Sequence, residues 1–526
     1  MEKKRLQFNS ELHQTFAEGS RAVCGTVSAN FGPEGRNTIC GKKYDLPFVA
    51  NTGRQILQGM ELEDAGQNLS AALIREAAHK VAEACGDGTI ATVLLTDALL
   101  RAGSRMTAAG HSPVELRRGI QRASVAAREM LGEITVPFSE VSAEKVAEST
   151  AKNTEVAANC VKAFQMAGMD GVVTVRDTQM RDTVLNLWDG IRYEYGLLNH
   201  SFTTDAGHRR ALLTHPYVLL SNVKIKSLQD IRRMLEEALT SNSPLLIITN
   251  DMAEDVQRAL LVNKERAGLQ VVVAKAPGLG DTRRRNMLSL AAKTGSLIFD
   301  ENTGRNLRDC GLEVCSRVAR AEIDWDMTAL QGFENGSEEM ADMLRRHTLG
   351  LLSKTADPDE CEKLQTTLSI LNGKTAEILV GAVTEYEMFE KKYLYENTVR
   401  TLKNAAHTGV IPGAGSAYVF QEKKLRAFCA DWPETERLGG VCFGKALRML
   451  AARLLTNAGE NAEVILSKLE CLDDPWQGYD IVRHEYTDLR QAGILMPRGL
   501  VETILSTAAE TAGSLLTASA AVIEER

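Results

Sequence analysis

The chain holds ten cysteines in 526 residues but no Cys-x-x-Cys pair. Cys310 and Cys315 are the closest two, and the nearest His downstream is His347. This pattern points away from a zinc site or a disulfide framework and fits a reducing compartment. Positive charge is not in excess either: 61 Lys and Arg face 69 Asp and Glu, for a net charge of −8. Charges of both signs are mixed along the chain, which leaves no electrostatic footprint for nucleic acid. No apolar run approaches a membrane span. The most apolar late segment, Leu500 to Ile523, carries Glu502 and Glu510 and reads as a packed helix. The opening Met1-Glu2-Lys3-Lys4-Arg5-Leu6 lacks the long apolar region of a signal peptide. Internal repeats and low-complexity segments are missing as well. The expectation is a soluble, cytoplasmic chain with no nucleic-acid or membrane partner, long enough for several domains and a large core.

The organising stretch is Cys85-Gly86-Asp87-Gly88-Thr89-Ile90-Ala91-Thr92-Val93. Upstream, Leu69, Leu73, Ala77 and Val81 recur at four-residue spacing, which predicts one face of a helix. Downstream, Val93, Leu94, Ala98 and Leu99 predict another. Between them two glycines flank one carboxylate. Glycine lets backbone N–H groups close on an anion, and a new helix offers unpaired N–H groups and its positive dipole end. Asp87 beside such a nest can hold Mg²⁺ on a triphosphate. The same residues also fit a plain helix–helix turn with Asp87 as a cap.

In Ser10 to Asn30, Leu12, Phe16, Val23 and Val27 predict a helix that ends at the glycine- and proline-written loop Gly32-Pro33-Glu34-Gly35-Arg36-Asn37. Extended pieces are expected at Thr38 to Cys40 and Pro47 to Ala50. Ser112-Pro113-Val114-Glu115 supplies a capping residue, a first-position proline and a Glu at the third, opening a helix to about Leu131. Ser142 to Met169 reads as helical, ending at Gly168-Met169-Asp170-Gly171, with Val172, Val173 and Val175 as a strand. From about Gly190 the pattern becomes α/β. Strands are predicted at Tyr217–Leu220, Pro244–Thr249, Val271–Val273 and Ser296–Phe299, with helices at Ala253–Arg266 and Arg283–Lys293. A charged helical hairpin spans Glu338 to Leu371, broken at Asp357-Pro358, and Glu377 to Gly381 gives one more strand. After Glu385 the chain is mostly helical. Both ends are helical and the middle is α/β, so the middle is expected to be inserted into a domain built from both termini.

Several loops, taken together and in order, are more specific. They are Asn30-Phe31-Gly32-Pro33-Glu34-Gly35-Arg36-Asn37, Glu61-Leu62-Glu63-Asp64, Gly86-Asp87-Gly88-Thr89, Lys275-Ala276-Pro277-Gly278 and Gly409-Val410-Ile411-Pro412-Gly413-Ala414-Gly415. In this register the sequence resembles the group I chaperonins, the GroEL family, as a divergent member, over nearly its whole length. The resemblance implies an all-α equatorial domain from both termini (1–133 and 408–526) that binds nucleotide and makes ring contacts. It implies a small α/β intermediate hinge domain (134–189 and 374–407) and an inserted α/β apical domain (190–373) that binds polypeptide. The implied cofactors are ATP and Mg²⁺. The implied partners are non-native polypeptides, a GroES-type co-chaperonin, and further copies in a homo-oligomeric ring, with a paralogue as an alternative ring-mate.

The resemblance carries over residue by residue. Gly32 and Pro33 stand where the family's first loop covers the nucleotide, and Gly413 and Gly415 belong to its later glycine loop. Asp87, Gly88 and Thr89 stand where its second loop grips phosphate and metal, with Asp87 the implied metal ligand and catalytic carboxylate. Departures accompany these matches. The family's Gly-Asp-Gly-Thr-Thr-Thr-Ala-Thr-Val is one residue shorter here, and Ile90 replaces hydroxyl donors. Its Lys-Asp-Gly is Asn51-Thr52-Gly53, and its water-positioning Asp is Asn397 in Tyr395-Glu396-Asn397. An expected Asp on the sugar side is Met496, and Asp480 and Ala414 replace the usual Asn and Gly. The family's Gly-Met-rich tail does not follow Ile523. Thr52 and Asn397 can hydrogen-bond a water but cannot take its proton. Glu396 lies a helical step of about 100° away from Asn397. Impaired hydrolysis is therefore expected.

In the inserted region, Leu228, Ile231, Met234, Leu235, Ala238 and Leu239 mark one amphipathic helix, and Val256 with Ala259 to Val262 mark the next. Such faces usually meet the core. Four consecutive apolar residues, however, sweep about 300° and cannot share one buried stripe. Outward-facing apolar residues mark binding sites. The resemblance places Leu197, Phe202, Leu235, Leu261 and Val262 in a polypeptide-binding groove, with Ser201 and Gln257 polar where the family is apolar. Two functions follow: an ATP-driven folding chaperonin or, as the alternative, a divergent paralogue that binds polypeptide or assembles rings with weak or no hydrolysis. A dinucleotide-binding enzyme, suggested by Gly413-Ala414-Gly415, is a third reading, disfavoured because no strand is expected before it and no acidic residue follows.

Overall fold

The computed structural model describes residues 4–524 except 43–44, 51, 59, 152, 170, 172, 179, 205–209, 301–305, 353 and 356. Asn51, Asp170 and Val172 of the sequence reading lie outside the described residues. The chain forms two compact units, Met1–Val161 with Phe389–Arg526, and Lys162–Met388. Among the described residues no helix is long and apolar enough to cross a membrane.

In the first unit, the Asn9–Ser28 helix buries Leu12, Phe16, Val23 and Val27, as its spacing predicts. The Ala65–Cys85 helix departs from its prediction. It buries Ser70, Ala71, Ile74, Ala77, Ala78 and Val81, while Leu69 and Leu73 stay partly open to solvent. A strict four-residue step gains about 40° per repeat, so a run of four drifts off the buried face by its far end. The Thr89–Ala108 helix is tied to the first by Asp97, which is 1% exposed, accepts from Ser20 Oγ at 2.9 Å and pairs with Arg101 at 2.8 Å. The Pro113–Ile134 helix starts at the expected Ser112 cap. It crosses the Glu434–Asn457 helix closely: a Cβ on Gly119 would lie 2.1 Å from the Glu436 carbonyl oxygen, and one on Gly439 2.5 Å from that of Leu116. The Arg498–Thr517 helix completes the core with Leu500, Val501, Ile504, Leu505, Leu515 and Leu516.

This unit is not all-α. Among the described residues four two-stranded ribbons accompany its helices: Lys4–Phe8 with Ala520–Glu524, Thr38–Lys42 with Asp45–Ala50, Val410–Pro412 with Leu495–Pro497, and Gln477–Asp480 with Glu485–Asp488. Each gives backbone partners to short extended pieces outside the helices, where no helical bonds exist. The first ribbon pairs the two ends of the chain, Lys4 opposite Glu524.

In the second unit, Tyr217–Ser221, Leu245–Thr249 and Val271–Lys275 run parallel in register, with Tyr217 opposite Leu245 and Leu245 opposite Val271. All five residues of the middle strand are buried, which explains its unbroken apolar run. Helices Glu254–Ala267 and Gly280–Thr294 are the crossovers. The sequence reading missed the antiparallel layer of Ile191–Tyr193, Ala211–Thr214, Ser316–Ile323 and Thr328–Phe333. In Ser316–Ile323, Ala321 and Ile323 point inward and alternate with Arg320 and Glu322, a pattern thinned by the charged residues. It missed Val184–Asp189 as well, which pairs with Lys374–Val380 beside Val173–Asp177. The single helix expected from Ser142 to Met169 is two, Ala143–Ala151 and Thr154–Ala167. Asn153 Oδ1 accepts from the N–H groups of Glu155 and Val156 and starts the second.

Candidate functional site

The turn at Asp87 is fixed by both conformation and space. Gly86 ends one helix at φ 82° and Gly88 opens the next at φ 96°. A Cβ on Gly86 would lie 2.6 Å from the Asn397 carbonyl oxygen and 2.8 Å from Arg400 Cβ. One on Gly88 would meet the side chains of Leu500 and Val81 at 2.9 Å. Asp87 Oδ1 accepts the Gly88 N–H at 2.6 Å, and the Thr92 hydroxyl donates to the Gly88 carbonyl at 2.9 Å. The first-turn N–H groups from Thr89 onward form the end of a helix that attracts anions.

Thr52 caps the short Gly53–Leu57 helix, its hydroxyl accepting the Gln55 N–H at 3.4 Å. That helix start lies against the phosphate-loop helix: a Cβ on Gly53 would stand 2.6 Å from Ile90 Cγ1 and 3.2 Å from Thr89 Cγ2. The next residue, Arg54, holds its guanidinium 5.7 Å from the ring centre of Tyr393.

Tyr393 leads to Asn397. Both lie on the Glu385–Thr408 helix, four residues apart, with Arg400 three residues further on. Burial pushes the Tyr393 phenol up, its hydrogen bond to the Asn397 side chain lowers it, and the charge of Asp87 raises it again. Asn397 is 8% exposed, and its Oδ1 has no hydrogen-bond partner; one terminal nitrogen of Arg400 is buried in the same state. Glu396 pairs with Arg400 at 3.7 Å. The carboxylate beside Asn397 is thus engaged with a guanidinium and does not stand in for the missing Asp. Burial, and then the charge of Asp87, also raises the phenol of Tyr418 on the Ser416–Phe428 helix.

The other loops converge on the Glu434–Asn457 helix. Gly32, at φ 102°, would place a Cβ 2.9 Å from Leu454. Gly415, at φ 83°, would place one 3.0 Å from Ala451 and 3.5 Å from Leu454. Pro33 beside Gly32 is exposed. The Gly413 N–H donates to the Ile494 carbonyl at 3.0 Å. Ala414 has φ 50°, a left-handed conformation that costs a residue with a Cβ ~1–2 kcal/mol. Met496 pairs with Ile411 and packs half-buried on the core, an apolar group where the resemblance leads one to expect a carboxylate. Asp480 Oδ1 accepts the N–H groups of Val482 and Arg483 at 2.9 and 3.1 Å, so its carboxylate shapes a turn. A strand, Val410–Pro412, does precede Gly413-Ala414-Gly415, contrary to expectation. It is three residues long and antiparallel to its partner, which is no dinucleotide-binding unit.

A left-handed glycine turn, a helix start and an unmatched guanidinium nitrogen fit a polyphosphate; the unmatched Asn397 Oδ1 accepts only and would meet a water. For Mg²⁺ the loop offers one carboxylate, Asp87. Among the described residues no group of three or more His, Cys, Asp or Glu could hold a metal ion, so further ligands would come from phosphate and water. Sequence reasoning missed Arg54, Tyr393 and Arg400. The signal was there for two of them, at four residues before and three after Asn397, on one helix face.

In the second unit, three of the residues assigned to a groove are core residues. Leu197 and Phe202 are 0% exposed and Leu235 is 8% exposed, all in one apolar cluster. Leu197 bridges to Ala274 at the sheet, which takes it out of reach of a partner. An apolar residue sealing a sheet and one lining a groove look alike in sequence. Leu261 is half-buried, whereas Val262 is 47% exposed and Leu260 fully buried, so the Ala259–Val262 run does divide between inside and outside. Leu239, on the preceding helix, is open to a similar degree. Gln257 is held by the Met252 carbonyl at 2.9 Å and by Asn199 at 3.4 Å, and Ser201 is exposed.

A sequence model described as the TCP-1/cpn60 chaperonin family matches residues 23–526. That match takes in every loop described above, and the chain belongs to the TCP-1/cpn60 chaperonin family.

Proposed function

We propose that this protein is a chaperonin subunit of the group I type that captures non-native polypeptide and hydrolyses ATP slowly or not at all. The observation that carries the second half is Asn397. It is buried against the Asp87 turn with an unmatched Oδ1, and the carboxylate next to it in sequence, Glu396, pairs with Arg400. Phosphoryl transfer to water needs that water positioned and its charge balanced. In this reading Gly32, Pro33, Gly413 and Gly415 shape the nucleotide pocket, while Asp87, Gly88 and Thr89 meet phosphate. Bound ATP with Mg²⁺ supplies the phosphoryl group and the charge that the loop answers. Thr52 and Asn397 orient a water by hydrogen bonds without accepting its proton.

Capture is assigned to the second unit. Leu239, Leu261 and Val262 on its two successive helices give apolar surface to an extended chain. The three-domain division, with a hinge domain at 134–189 and 374–407, belongs to this reading. So does ring assembly. Leu6, Phe8 and Val522 on one two-stranded ribbon and Ile39, at 77% exposure, on another are apolar and open to solvent. Surfaces of this kind are covered in stable proteins, and a second copy of the chain is the natural cover. A GroES-type lid and a cytoplasmic location follow from the resemblance alone.

The test pairs steady-state ATPase activity with capture of a denatured protein. The reading expects capture with little turnover. Turnover at the rate of the double reversion Thr52→Asp, Asn397→Asp in the unaltered protein would restore the ATP-driven alternative.

A further inference from the structure

The capture surface of the second unit carries a positive charge held in place. Lys264 lies on the Glu254–Ala267 helix, and Leu261 and Gln257 precede it by about one and two turns on the same face. Its ammonium donates to the carbonyl oxygens of Thr203 at 2.8 Å and Ser201 at 3.4 Å. Gln257 Oε1 accepts from Asn199 at 3.4 Å. The segment 199–203 is thus tied to the helix at both ends, with half-buried Leu261 between the ties. Exposed arginines on the two capture helices are taken up by glutamates: Arg232 by Glu236 at 2.7 Å, Arg233 by Glu237 at 2.9 Å and Arg258 by Glu254 at 3.0 Å. Among the described residues Lys264 pairs with no carboxylate, and two of its three N–H donors are spent on carbonyls. Burial lowers the ammonium from its ordinary value, and the charge of neighbouring Glu265 only partly opposes this.

We propose that this surface selects among the chains it captures: it takes extended apolar segments that carry an Asp or Glu, the carboxylate accepting from the Lys264 ammonium while apolar neighbours lie on Leu261. The inference rests on the capture reading of the second unit. Ion pairs between exposed side chains give little, because both must first be ordered. Lys264 is already ordered by two carbonyls and already half-buried, so a carboxylate gains a charge-assisted bond at small cost. The polar residues suit the same occupant. A purely apolar chain laid here would strip water from the remaining N–H of Lys264 and from the exposed Ser201 hydroxyl and return no hydrogen bond. A basic segment would meet like charge.

The experiment is fluorescence anisotropy of a labelled apolar peptide with the whole protein, without nucleotide, the central peptide residue being Asp, Asn or Lys. The expected order of affinity is Asp, Asn, Lys, with the Asp peptide bound about five- to tenfold tighter than the Asn peptide. In Lys264→Gln the Asp and Asn peptides bind alike. Where Lys264→Gln does not fold by circular dichroism, added KCl in the unaltered protein reads the same charge, and the Asp preference shrinks as salt rises. Equal binding of the three peptides, tightest binding of the Lys peptide, or an Asp preference that survives Lys264→Gln or high salt overturns the inference and leaves capture standing. No binding of any peptide overturns the capture reading itself, and the inference with it.

Discussion

Replacing Asn397 by Asp puts the chemistry of the Asp87 site to a direct trial. The side chain is 8% exposed, so the substitution exchanges one heavy atom, the amide nitrogen for an oxygen, in a fixed place. The Tyr393 phenol, now bonded to the Asn397 side chain, would donate to the new carboxylate. The other carboxylate oxygen replaces the unmatched Oδ1 and lies on the helix face of Arg400, whose buried nitrogen lacks an acceptor. A guanidinium nearby holds such a carboxyl ionised. The group is then charged and aligned, although weakened as a base. Removing one positioned catalytic group typically costs ~10²-fold, and each tenfold is about 1.4 kcal/mol of barrier. Asn397→Asp is therefore expected to raise turnover by about 10–100-fold. Adding Thr52→Asp gives less than the product of the two, because they act on one water. Thr52→Asp keeps a side chain able to cap the Gly53–Leu57 helix, so folding is not at risk from the cap. The assay is steady-state phosphate release. A folded, nucleotide-binding double variant no faster than the unaltered protein would refute the reasoning.

Gly119→Ala drives a Cβ to within 2.1 Å of the Glu436 carbonyl and is expected to destabilise the first unit by ~2–3 kcal/mol in urea unfolding; a change under ~0.5 kcal/mol would contradict the close crossing. Burial alone would raise the Asp230 carboxyl, but Arg308 at 2.7 Å and the N–H groups of Ser227 and Lys226 outweigh it and hold it below its usual value. A carboxyl lowered on folding adds stability above its unfolded value and loses it as pH falls through the folded one. The stability lead of the unaltered protein over Asp230→Asn is thus expected to be flat above about pH 4 and to shrink below it, read by unfolding at a series of pH values. Burial pushes the thiols of Cys24, Cys160 and Cys315 up to about 12, while Cys471 is exposed. Alkylation of the native protein at pH 8, followed by peptide mass spectrometry, should label Cys471 first and spare those three.

The long helices and the parallel strands were legible because their signals are local. Ser112-Pro113 marks a helix start by itself, and Leu245–Thr249 is buried throughout, so its apolar run needs no partner to be read. The ribbon of Thr38–Lys42 and Asp45–Ala50 was legible as two extended pieces, whereas the other three were not. Pro412 and Leu495 meet only when distant segments come together, and three residues carry no period. At the site, the glycines were readable because each stands in a left-handed turn or at a close approach. Arg54 was not, since its link to Tyr393 exists only across the fold. The groove assignment failed at Leu197, Phe202 and Leu235 for a related reason: apolar character is shared by core and binding surface, and burial decides between them.

The most direct measurement is suppression of aggregation of a chemically denatured protein diluted into the purified chain, without nucleotide. The account predicts capture, and loss of capture in Val262→Glu with Leu239→Glu while the sedimentation of the protein stays unchanged. Both side chains are open to solvent, at 47% and 46%, so the added charges leave the core of the unit undisturbed. Failure to capture, or capture that these two charges leave unchanged, would contradict the account.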